Sequence, residues 1–565
     1  MSESSQSSGS DVLSFDLTTR AWIPALRRDG RQGELSLREV FEQAAELHRI
    51  VGELPTQEFA LMRLLLAVAH DALDGPADIE AWSELWADEG CFAPVGAYLD
   101  AHRDRFDLLD VDAPFFQTAG LRTARDEVLS LNRIVADVPN GKPFFTARMP
   151  TVDRLTFAEA ARWVVHTHAW DTSGIKTGVE GDPRAKGGKV YPLGVGWAGN
   201  LGGVFVEGAD LRQTLLLNLV AADTIGLEFD DTDAPAWRRE PCAPGGAERA
   251  PTGVRDLYTW QTRRLRLHFD AAGVHGVVLS YGDPLTPHNR QHREPMSAWR
   301  RSKPQEKKLR KTPVYMPREH DPERSAWRGI ASLVADRTEK TQGAEAAAYL
   351  RPGILEWVAR LVTEGELERG FLIRPRIVGA TYGTQQSVID EVVDDHVSMA
   401  AVLLHQQDRH YAQQAIDAVA DADQAVNALG DLATNLARAA DVETEGPRST
   451  ARDLGYGLLE APYRSWLAHL AEADDPFERR TDWQRQVYEI VSRLGDRLMA
   501  AAGEVAWQGR TVDLKRGGTE WLNSDLAGRW FHAALARGLG HTGGAEPSPD
   551  GKPASETTST EKALV

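Results

Sequence analysis

The stretch AQQAIDAVADADQAVNALGDLATNLARAA, Ala412–Ala440, decides how the second half of this chain folds. Its apolar residues recur at spacings of three and four, which is the period of a helix with one apolar face. Three later stretches repeat this spacing: Ala451–Ala471, Asp482–Ala502 and Trp521–Ala536. Four helices joined by short links predict a C-terminal four-helix bundle. We expect Pro462 to kink the second helix or to shift its start, because proline cannot donate a helical hydrogen bond.

The residues before this helical half predict a mixed α/β body. Helix-like stretches such as Leu37–Leu47 and Phe59–Ala72 alternate with strand-like stretches such as Arg264–Phe269 and Val277–Tyr281. Long connections rich in glycine and proline separate them, and these two residue types interrupt both helices and strands. The predicted fold class is therefore α+β, a large mixed α/β N-terminal domain followed by the bundle.

Composition sets the expected domain limits. Residues 1–11 and 541–565 are rich in Ser, Thr, Gly, Pro and charged residues, so they bury too little apolar surface to fold, and we expect both to be disordered. We place the mixed domain at residues 12–380. Residues 381–540 are expected to hold a turn and the bundle.

The overall composition excludes several protein classes. The 565 residues carry a net charge of −19 and only two cysteines, too few for a disulfide framework or a cysteine-rich zinc site. No apolar run reaches the roughly 18 to 20 residues that a transmembrane helix needs. The first residues lack the basic and apolar regions of a secretory signal. We therefore expect a cytoplasmic protein with no membrane role.

The basic segment, Arg290–Lys311, carries a net positive charge, whereas the whole chain is net negative. Its 22 residues contain nine Lys or Arg against Glu294 and Glu306. Such an excess predicts docking onto phosphate groups, with a solvated, flexible loop as the alternative. Trp299 and Tyr315 could stack on bases or anchor the loop to the protein body. Three prolines argue against one continuous helix: Pro295, Pro304 and Pro313.

The segment Gly174–Gly203 holds ten glycines in thirty residues. A nucleotide-binding P-loop is excluded, because Val190 instead of Ser or Thr follows Lys189, and Pro183 replaces the leading glycine. What remains is a glycine loop suited to contact a phosphate backbone, with a disordered surface insertion as the alternative. The loop carries four cations: Lys176, Arg184, Lys186 and Lys189.

Two histidines raise a metal-dependent hydrolase as a rival interpretation. His166, His168 and Asp171 carry groups that bind zinc and other transition metals. Alternation in Trp163–Trp170 predicts a strand with both histidines on one face, where structural, hydrogen-bonded histidines are the commoner case. The sequence has no HExxH motif and no GxSxG motif, so it establishes no active site.

A third unusual segment is TYGTQQS, Thr381–Ser387, at the seam between the two halves. A glutamine side chain donates and accepts hydrogen bonds, so it can bond base edges or wedge beneath a base pair. The neighbouring Gly383 permits close approach to a groove. The alternative is a polar turn between domains that caps the next helix.

These three segments occur in order with five further stretches: FDLTTRAWIPAL at 15–26, PFFQTAGL at 114–121, KPFFTARMP at 142–150, FVEGADLRQTLLLNL at 205–219 and LYTWQTRRLRL at 257–267. Together they resemble the CasA family, the large subunit of the type I-E CRISPR surveillance complex Cascade. The similarity covers nearly the whole chain outside its two ends.

The resemblance implies a non-enzymatic subunit without cofactor or metal. Such a subunit recognises the PAM in double-stranded target DNA, helps to open the duplex for the guide RNA, and recruits the CRISPR helicase-nuclease. Its further partners are the crRNA 5′ handle and the other Cascade subunits. A pure scaffold for RNA and protein, with no reading of the PAM, is a third interpretation.

The resemblance also assigns residues. Gln385, Gln386 and Ser387 match the glutamine wedge, with Gln386 as the inserted residue. Five residues match the family's glycine loop, which meets the minor groove: Gly174, Ile175, Lys176, Thr177 and Gly178. GIKTG has fewer consecutive glycines than the family pattern, and Gln385 stands where an Asn is usual, so the PAM preference stays open.

Two further assignments follow from the same resemblance. Lys303 is the expected lysine finger, with Arg300, Arg301 and Lys307 as alternatives within the basic segment. We expect three residues to dock the subunit on the crRNA 5′ handle and on neighbouring subunits: Phe144, Phe145 and Thr146. An aromatic ring in this segment can stack on RNA. A buried aromatic pair is the alternative at the two phenylalanines.

Overall fold

The computed structural model describes residues 13–136, 151–334, 346–472, 475–513 and 518–540. The expectation of disorder for residues 1–11 and 541–565 concerns residues outside these ranges. The described residues form sixteen strands: β1 (Ile23–Arg27), β2 (Gln32–Leu35), β3 (Leu47–Ile50), β4 (Lys176–Thr177), β5 (Lys189–Val190), β6 (Gly203–Glu207), β7 (Arg263–Asp270), β8 (Gly273–Tyr281), β9 (Trp299–Arg301), β10 (Tyr315–Pro317), β11 (Tyr349–Leu350), β12 (Leu372–Tyr382), β13 (Ile389–His396), β14 (Met399–Ala400), β15 (Arg510–Asp513) and β16 (Thr519–Leu522).

The same residues form fifteen α-helices: α1 (Leu37–Glu42), α2 (Pro55–Ala72), α3 (Ile79–Ala87), α4 (Ala93–Ala101), α5 (Phe157–Trp170), α6 (Leu211–Leu217), α7 (Val254–Tyr258), α8 (Lys303–Leu309), α9 (Ala331–Val334), α10 (Gly353–Thr363), α11 (Arg409–Ala439), α12 (Glu445–Ala468), α13 (Pro476–Ala501), α14 (Gly503–Gln508) and α15 (Ser524–Gly538). Within these ranges, no helix combines the length and apolar character needed to cross a bilayer.

The chain divides into two compact units. The first unit comprises Met1–Ile416 and Tyr463–Pro476, and the second comprises Asp417–Pro462 and Phe477–Val565. The first unit is the mixed α/β part and the second is helical, which confirms the α+β fold class. β12 organises the largest sheet of the first unit, because it pairs antiparallel with β6, β13 and β14.

Helix α2 forms the centre of the first unit. It begins at Pro55, whose missing N–H group costs nothing in the first helical turn, and nearly all of its residues are buried. It packs against α5, α7 and β12. The two terminal guanidinium nitrogens of Arg63 donate to the Glu294 carboxylate at 2.9 Å, and Glu294 is fully buried. One of the two acids in the basic segment is therefore a core residue.

The second unit contains most of the predicted bundle, and the first unit includes the start of α11 and the end of α12. The main helices are α11, α12, α13 and α15, which confirms the four predicted helical stretches except at Trp521 and Leu522, which lie in β16. Arg480 on α13 pairs with Asp421 on α11 at 2.8 Å. Glycine allows α13 and α15 to approach closely, because a Cβ atom at Gly495 would lie 2.2 Å from the Phe531 ring.

Two details of the bundle differ from expectation. Pro462 lies inside α12, so the start of this helix is not shifted to the proline. One boundary between the compact units falls directly after Pro462. The link between α13 and α15 is not a short loop, because it contains α14 and the β15–β16 hairpin. Short links therefore join only part of the bundle.

Candidate nucleic-acid interface

The glycine loop follows directly after α5, which ends at Trp170. It enters a hairpin in which β4 pairs antiparallel with β5. A Cβ atom at Gly178 would lie 2.9 Å from the carbonyl carbon of Gly188, so only glycine fits this crossing. A Cβ atom at Gly174 would meet nothing within 4 Å. Ile175 between them is 52% exposed, so the loop presents an apolar side chain to solvent.

A buried ion-pair group, the Asp171 cluster, fixes the base of this loop. It consists of Asp171, Lys176 and Arg263. Lys176 Nζ lies 2.9 Å and 2.7 Å from the two carboxylate oxygens of Asp171, and the Arg263 guanidinium donates to the same carboxylate. Arg263 also donates to the Asp171 carbonyl at 2.9 Å and to the Gly194 carbonyl at 3.0 Å. The cluster thus joins both ends of the glycine-rich hairpin.

Electrostatics explain why Asp171 stays charged there. Burial alone would raise the pKa of Asp171, but the adjacent charges of Lys176 and Arg263 outweigh burial and hold its pKa below the ordinary 3.8. Burial lowers the pKa of Lys176, and Asp171 opposes this shift. The Lys176 side chain is only 10% exposed. Its charge is used inside the protein, and contact of Lys176 with a phosphate backbone stays a prediction.

Tyr281 holds Gly174 from the other side. Its hydroxyl donates to the Gly174 carbonyl at 2.7 Å and accepts from the Gly174 N–H at 3.1 Å. The Arg263 guanidinium lies 4.7 Å from the centre of the Tyr281 ring, within the range of a cation–π contact. The Asp171 cluster and Tyr281 therefore fix one loop from two sides.

The glutamine turn, Thr384–Gln386, connects β12 to β13. Gln385 and Gln386 have φ angles of 57° and 56°, a left-handed conformation that is costly for residues other than glycine. The N–H group of Gln386 donates to the Gly383 carbonyl at 2.8 Å. A strand follows the turn instead of a helix, so the alternative that this segment caps the next helix is wrong.

The structure brings the glutamine turn onto the glycine loop. The Ser173 N–H donates to the Gln386 carbonyl at 2.7 Å. The Tyr382 hydroxyl donates to the Trp170 carbonyl at 2.8 Å, so both ends of the turn are tied to the residues that lead into the loop. Gln385 and Gln386 are exposed, and across the described ranges their side chains make no hydrogen bond. Two amide groups thus face solvent beside the loop.

The basic segment has regular structure: β9, α8 and a link that leads into β10. Trp299 and Tyr315 are 0% and 1% exposed, and both pack with Leu350. The Tyr315 hydroxyl donates to the Ala347 carbonyl at 2.9 Å. These rings anchor the segment, so the alternative that they stack on bases is wrong. Pro304 lies in the first turn of α8, where proline is tolerated.

The cations of the basic segment fall into two groups. The Arg301 guanidinium pairs with Glu306 at 2.6 Å, and Arg293 pairs with Asp230 at 2.8 Å. Arg290 is half-buried, and six others are exposed: Arg300, Lys303, Lys307, Lys308, Arg310 and Lys311. Lys303 is the first residue of α8, on a different element from the glycine loop and the glutamine turn. Among the alternatives for the finger, the ion pair makes Arg301 the least available.

The remaining cations of the glycine segment divide in the same way. Arg184 donates to Asp182 at 2.9 Å and to the Tyr281 carbonyl at 2.7 Å, so it has a structural role. Lys186 and Lys189 are exposed at the tip of the β4–β5 hairpin, where Gly187 and Gly188 adopt positive φ angles. Only the tip lysines remain free to reach a phosphate.

His166 and His168 lie on α5, so the predicted strand at Trp163–Trp170 is wrong. His166 Nε2 lies 3.0 Å from the Thr56 hydroxyl, and His168 Nε2 lies 2.8 Å from the Phe116 carbonyl. Burial lowers the pKa of His166 to about 3 and that of His168 to about 4. With Asp171 held by its own cations, each of the three side chains has a separate partner. Across the described ranges, no group of three or more His, Cys, Asp or Glu could hold a metal ion.

One prediction has no outcome in the structure, and two positioning residues were not predicted. Phe144, Phe145 and Thr146 lie outside the described residues. The sequence reasoning missed Arg263 and Tyr281 as positioning residues. A signal was present, because Arg263 and Arg264 begin a strand-like apolar run, and a buried arginine requires a partner. The sequence did not indicate which residue pairs with this arginine.

Comparisons with known proteins agree with this architecture. A sequence model of the family described as CRISPR-associated protein Cse1 matches residues 16–494. The crystal structure of Thermobifida fusca Cse1 has a TM-score of 0.86 at 56% identity, covering 94% of this chain and 98% of that one. CasA/Cse1 of Thermus thermophilus is 33% identical over 301 residues, 51% of this chain and 55% of that relative, so the match spans about half its length.

A chain from a CRISPR RNA-guided surveillance complex shares the fold, with a TM-score of 0.58 at 18% identity over 86% of this chain and 99% of that one. Together with the family match over most of the chain, these likenesses confirm the resemblance found in the sequence. The chain belongs to the CRISPR-associated Cse1 (CasA) family.

Proposed function

We propose that this chain is the non-catalytic large subunit of a type I-E CRISPR Cascade complex. In this role it recognises the PAM in double-stranded DNA, promotes duplex opening and R-loop formation by the guide RNA, and recruits the helicase-nuclease for antiviral defence. Membership of the Cse1 family supports this role, as does the fold shared with a chain of a surveillance complex. We expect it to act in the cytoplasm, where the complex meets its target DNA.

One observation carries the proposal most directly: the 2.7 Å hydrogen bond from the Ser173 N–H to the Gln386 carbonyl. It joins two segments that lie far apart in the sequence. A loop with little side-chain bulk can enter a groove closely, and an adjacent glutamine can reach base edges or part a base step. The contact supports a single surface that both grips the duplex and starts its opening.

The energetic demand on such a wedge is modest. Unstacking a base step costs a few kcal/mol, and the RNA–DNA heteroduplex that forms is about as stable as the duplex it replaces. A short PAM contact and backbone contacts therefore suffice to bias opening. The exposed side chains of Gln385 and Gln386 are free to make these contacts, and Ser387 lies beside them as the third residue of the wedge.

Other residues have supporting roles in the proposal. Lys303 is the lysine finger, and Gly174, Ile175, Thr177 and Gly178 form the part of the glycine loop that meets the minor groove. Lys176 holds this loop in shape through Asp171. Phe144, Phe145 and Thr146 remain the proposed contact with the crRNA 5′ handle and the other Cascade subunits.

The test is duplex binding by the remaining Cascade subunits loaded with crRNA, with and without this protein, on a permissive and a scrambled PAM. We expect strong binding only with the protein and the permissive PAM. Gln386→Ala should weaken loading by about tenfold or more, equivalent to about 1.4 kcal/mol. Gln32→Ala is the matched control, because Gln32 is an exposed glutamine on β2, and it should load like the parent.

Each outcome separates the interpretations. PAM-independent binding that still requires the protein would support the scaffold interpretation. Equal binding in all four conditions would overturn the role in DNA recognition. If Gln386→Ala loads duplex DNA as well as Gln32→Ala does, the wedge assignment is wrong, even if the protein reads the PAM by other residues.

A further inference from the structure

The first unit contains a cavity that lies outside the surface formed by the glycine loop and the glutamine turn. It has a volume of about 380 Å³, within the roughly 300 to 1,000 Å³ typical of ligand sites. Its walls come from β9, from the residues that follow β10, and from α9 and the turn before it. The space is sufficient for a nucleotide and larger than one bound ion requires.

Three arginines line this cavity: Arg300, Arg318 and Arg324. Arg300 lies on β9, Arg318 directly follows β10, and Arg324 lies in the next turn. In the part of the chain that the structure describes, none of the three guanidinium groups makes a hydrogen bond or an ion pair with a side chain. Arg63 and Arg263, by contrast, are both held by buried carboxylates.

The three charges act on one another. Burial lowers the pKa of Arg318, and the charges of Arg324 and Arg300 lower it further, while Tyr349 opposes the shift. The Arg318 guanidinium lies 5.1 Å from the centre of the Tyr349 ring. Like charges gathered in a partly dry space destabilise one another, and a bound oxyanion would convert this repulsion into attraction.

The other titratable groups of the cavity do not cancel this charge. Glu319 and Asp321 are the two acids of the lining, against three guanidinium groups. Desolvation raises the pKa of Glu319, and Arg300 opposes this rise. Asp321 Oδ1 accepts the Glu323 N–H at 3.1 Å. His320 lies against the Gly203 carbonyl at 3.0 Å, and burial lowers its pKa to about 4, so it is neutral at neutral pH.

We propose that this cavity binds a phosphate group carried by a nucleotide, with Arg300, Arg318 and Arg324 as its recognition groups. Guanidinium groups suit phosphate because their N–H donors match its oxygens in pairs. Leu333 and Ile377 line the same cavity and offer apolar surface to a sugar or base. The phosphate belongs either to a nucleic-acid strand or to a free nucleotide, and the two sources share this chemistry.

Calorimetry on the full-length protein tests the site with three probes: AMP, a 5′-phosphorylated thymidine oligonucleotide and inorganic phosphate. We expect binding of AMP or of the oligonucleotide, with inorganic phosphate weaker. Arg324→Gln should weaken binding by about tenfold to a hundredfold, since hydrogen bonds to charged groups are the strong ones. Arg324 is exposed, so this variant should fold. Arg318→Gln should have the same effect.

A control variant and the choice of probe make the result specific. Arg20→Gln removes an exposed arginine that does not line the cavity, and it should bind like the parent. AMP has no base step that the glutamine turn could part, so AMP binding tests this cavity alone, and failure of the wedge assignment and failure of this site are distinguishable. Tighter binding of the oligonucleotide than of AMP would assign the phosphate to a strand, and equal or weaker binding would assign it to a free nucleotide.

Two results would overturn the proposal. One is the absence of binding for all three probes. The other is binding that Arg324→Gln and Arg318→Gln leave unchanged while both variants remain folded by circular dichroism.

Discussion

The glycine loop and the basic segment both carry lysines in a chain with a net charge of −19, but they use the charge differently. Lys176 in the loop is 10% exposed and pairs with Asp171 at 2.7 Å. Lys303 in the basic segment is exposed at the first turn of α8. A buried cation fixes the backbone that presents the loop, whereas an exposed cation is free for a partner.

The difference follows from solvation. A buried charge requires a partner, and removing that partner costs far more than the pair contributes over apolar side chains. An exposed charge is well solvated and contributes little to folding. Mutation of Lys176 should therefore act mainly through stability, and mutation of Lys303 mainly through binding. Four predictions test this contrast.

The largest effect is expected for Asp171→Asn. This variant leaves Lys176 and Arg263 buried without their carboxylate, and we expect the free energy of unfolding of the first unit to fall by about 3 to 5 kcal/mol. Urea unfolding followed by tryptophan fluorescence measures it. Asp525→Asn is the control, because its pair with Arg529 is exposed, and it should cost about 0.3 to 0.5 kcal/mol. Equal effects of the two variants would contradict the structural role of the Asp171 cluster.

The second prediction concerns pH. His166 and His168 have an ordinary pKa of 6.5 and folded values of about 3 and about 4, so the unfolded chain binds more protons below pH 6.5. Their stabilising effect is present above 6.5 and is lost as the pH falls towards the folded values. Between pH 7 and 5 each histidine should cost about 2 kcal/mol of stability.

Unfolding at several pH values checks this expectation. His168→Gln should flatten the pH dependence over this window, and Lys303→Ala should leave it unchanged. Asp171 does not obscure the window, because its pKa lies below 3.8 and its contribution is lost only at lower pH. A pH dependence that His168→Gln leaves intact would show that this histidine is not held neutral.

The third prediction concerns the strained turn. Gln385 has a φ angle of 57°, a conformation that costs roughly 1 to 2 kcal/mol for residues with a Cβ atom and most for β-branched ones. Gln385 already bears part of this cost, so Gln385→Val should lower stability further, by up to about 1 kcal/mol, while Gln385→Gly should not lower it. Gln32→Val is the control, because Gln32 lies in β2, where valine is favoured. Equal effects of valine at both positions would contradict the strain.

The fold was largely predictable where the pattern was local and long. Phe59–Ala72 lies within α2, and Arg264–Phe269 lies within β7. The prediction of a strand at Trp163–Trp170 was wrong, because tryptophan, valine and threonine favour strands although this segment is helical. A helix signal preceded the segment: Thr156 and Glu159 form a capping box at the start of α5.

The sequence predicted which segments form the candidate site but not the hydrogen bonds and ion pairs that join them. The resemblance pointed to the glycine loop and the glutamine turn, yet the bond from Ser173 to Gln386 joins residues that no local pattern relates. The sequence also presented Lys176 as one more cation on a glycine loop. Its burial depends on Arg263, which arrives from a distant strand, so tertiary contacts alone reveal its role.

The smallest effect is expected for Lys303→Ala, and it compares the two lysines directly. If Lys303 contacts a phosphate in the assembled complex, the slope of log affinity for duplex DNA against log salt should flatten by about one unit. Lys176→Met is the counterpart: it should leave the slope unchanged, because this lysine faces Asp171, although it should lower stability. Titrations of labelled duplex at several salt concentrations measure both slopes. If Lys176→Met flattens the slope as much as Lys303→Ala does, the loop lysine reaches DNA in the complex. In that case the two lysines do not differ in function, although one is buried and the other is exposed.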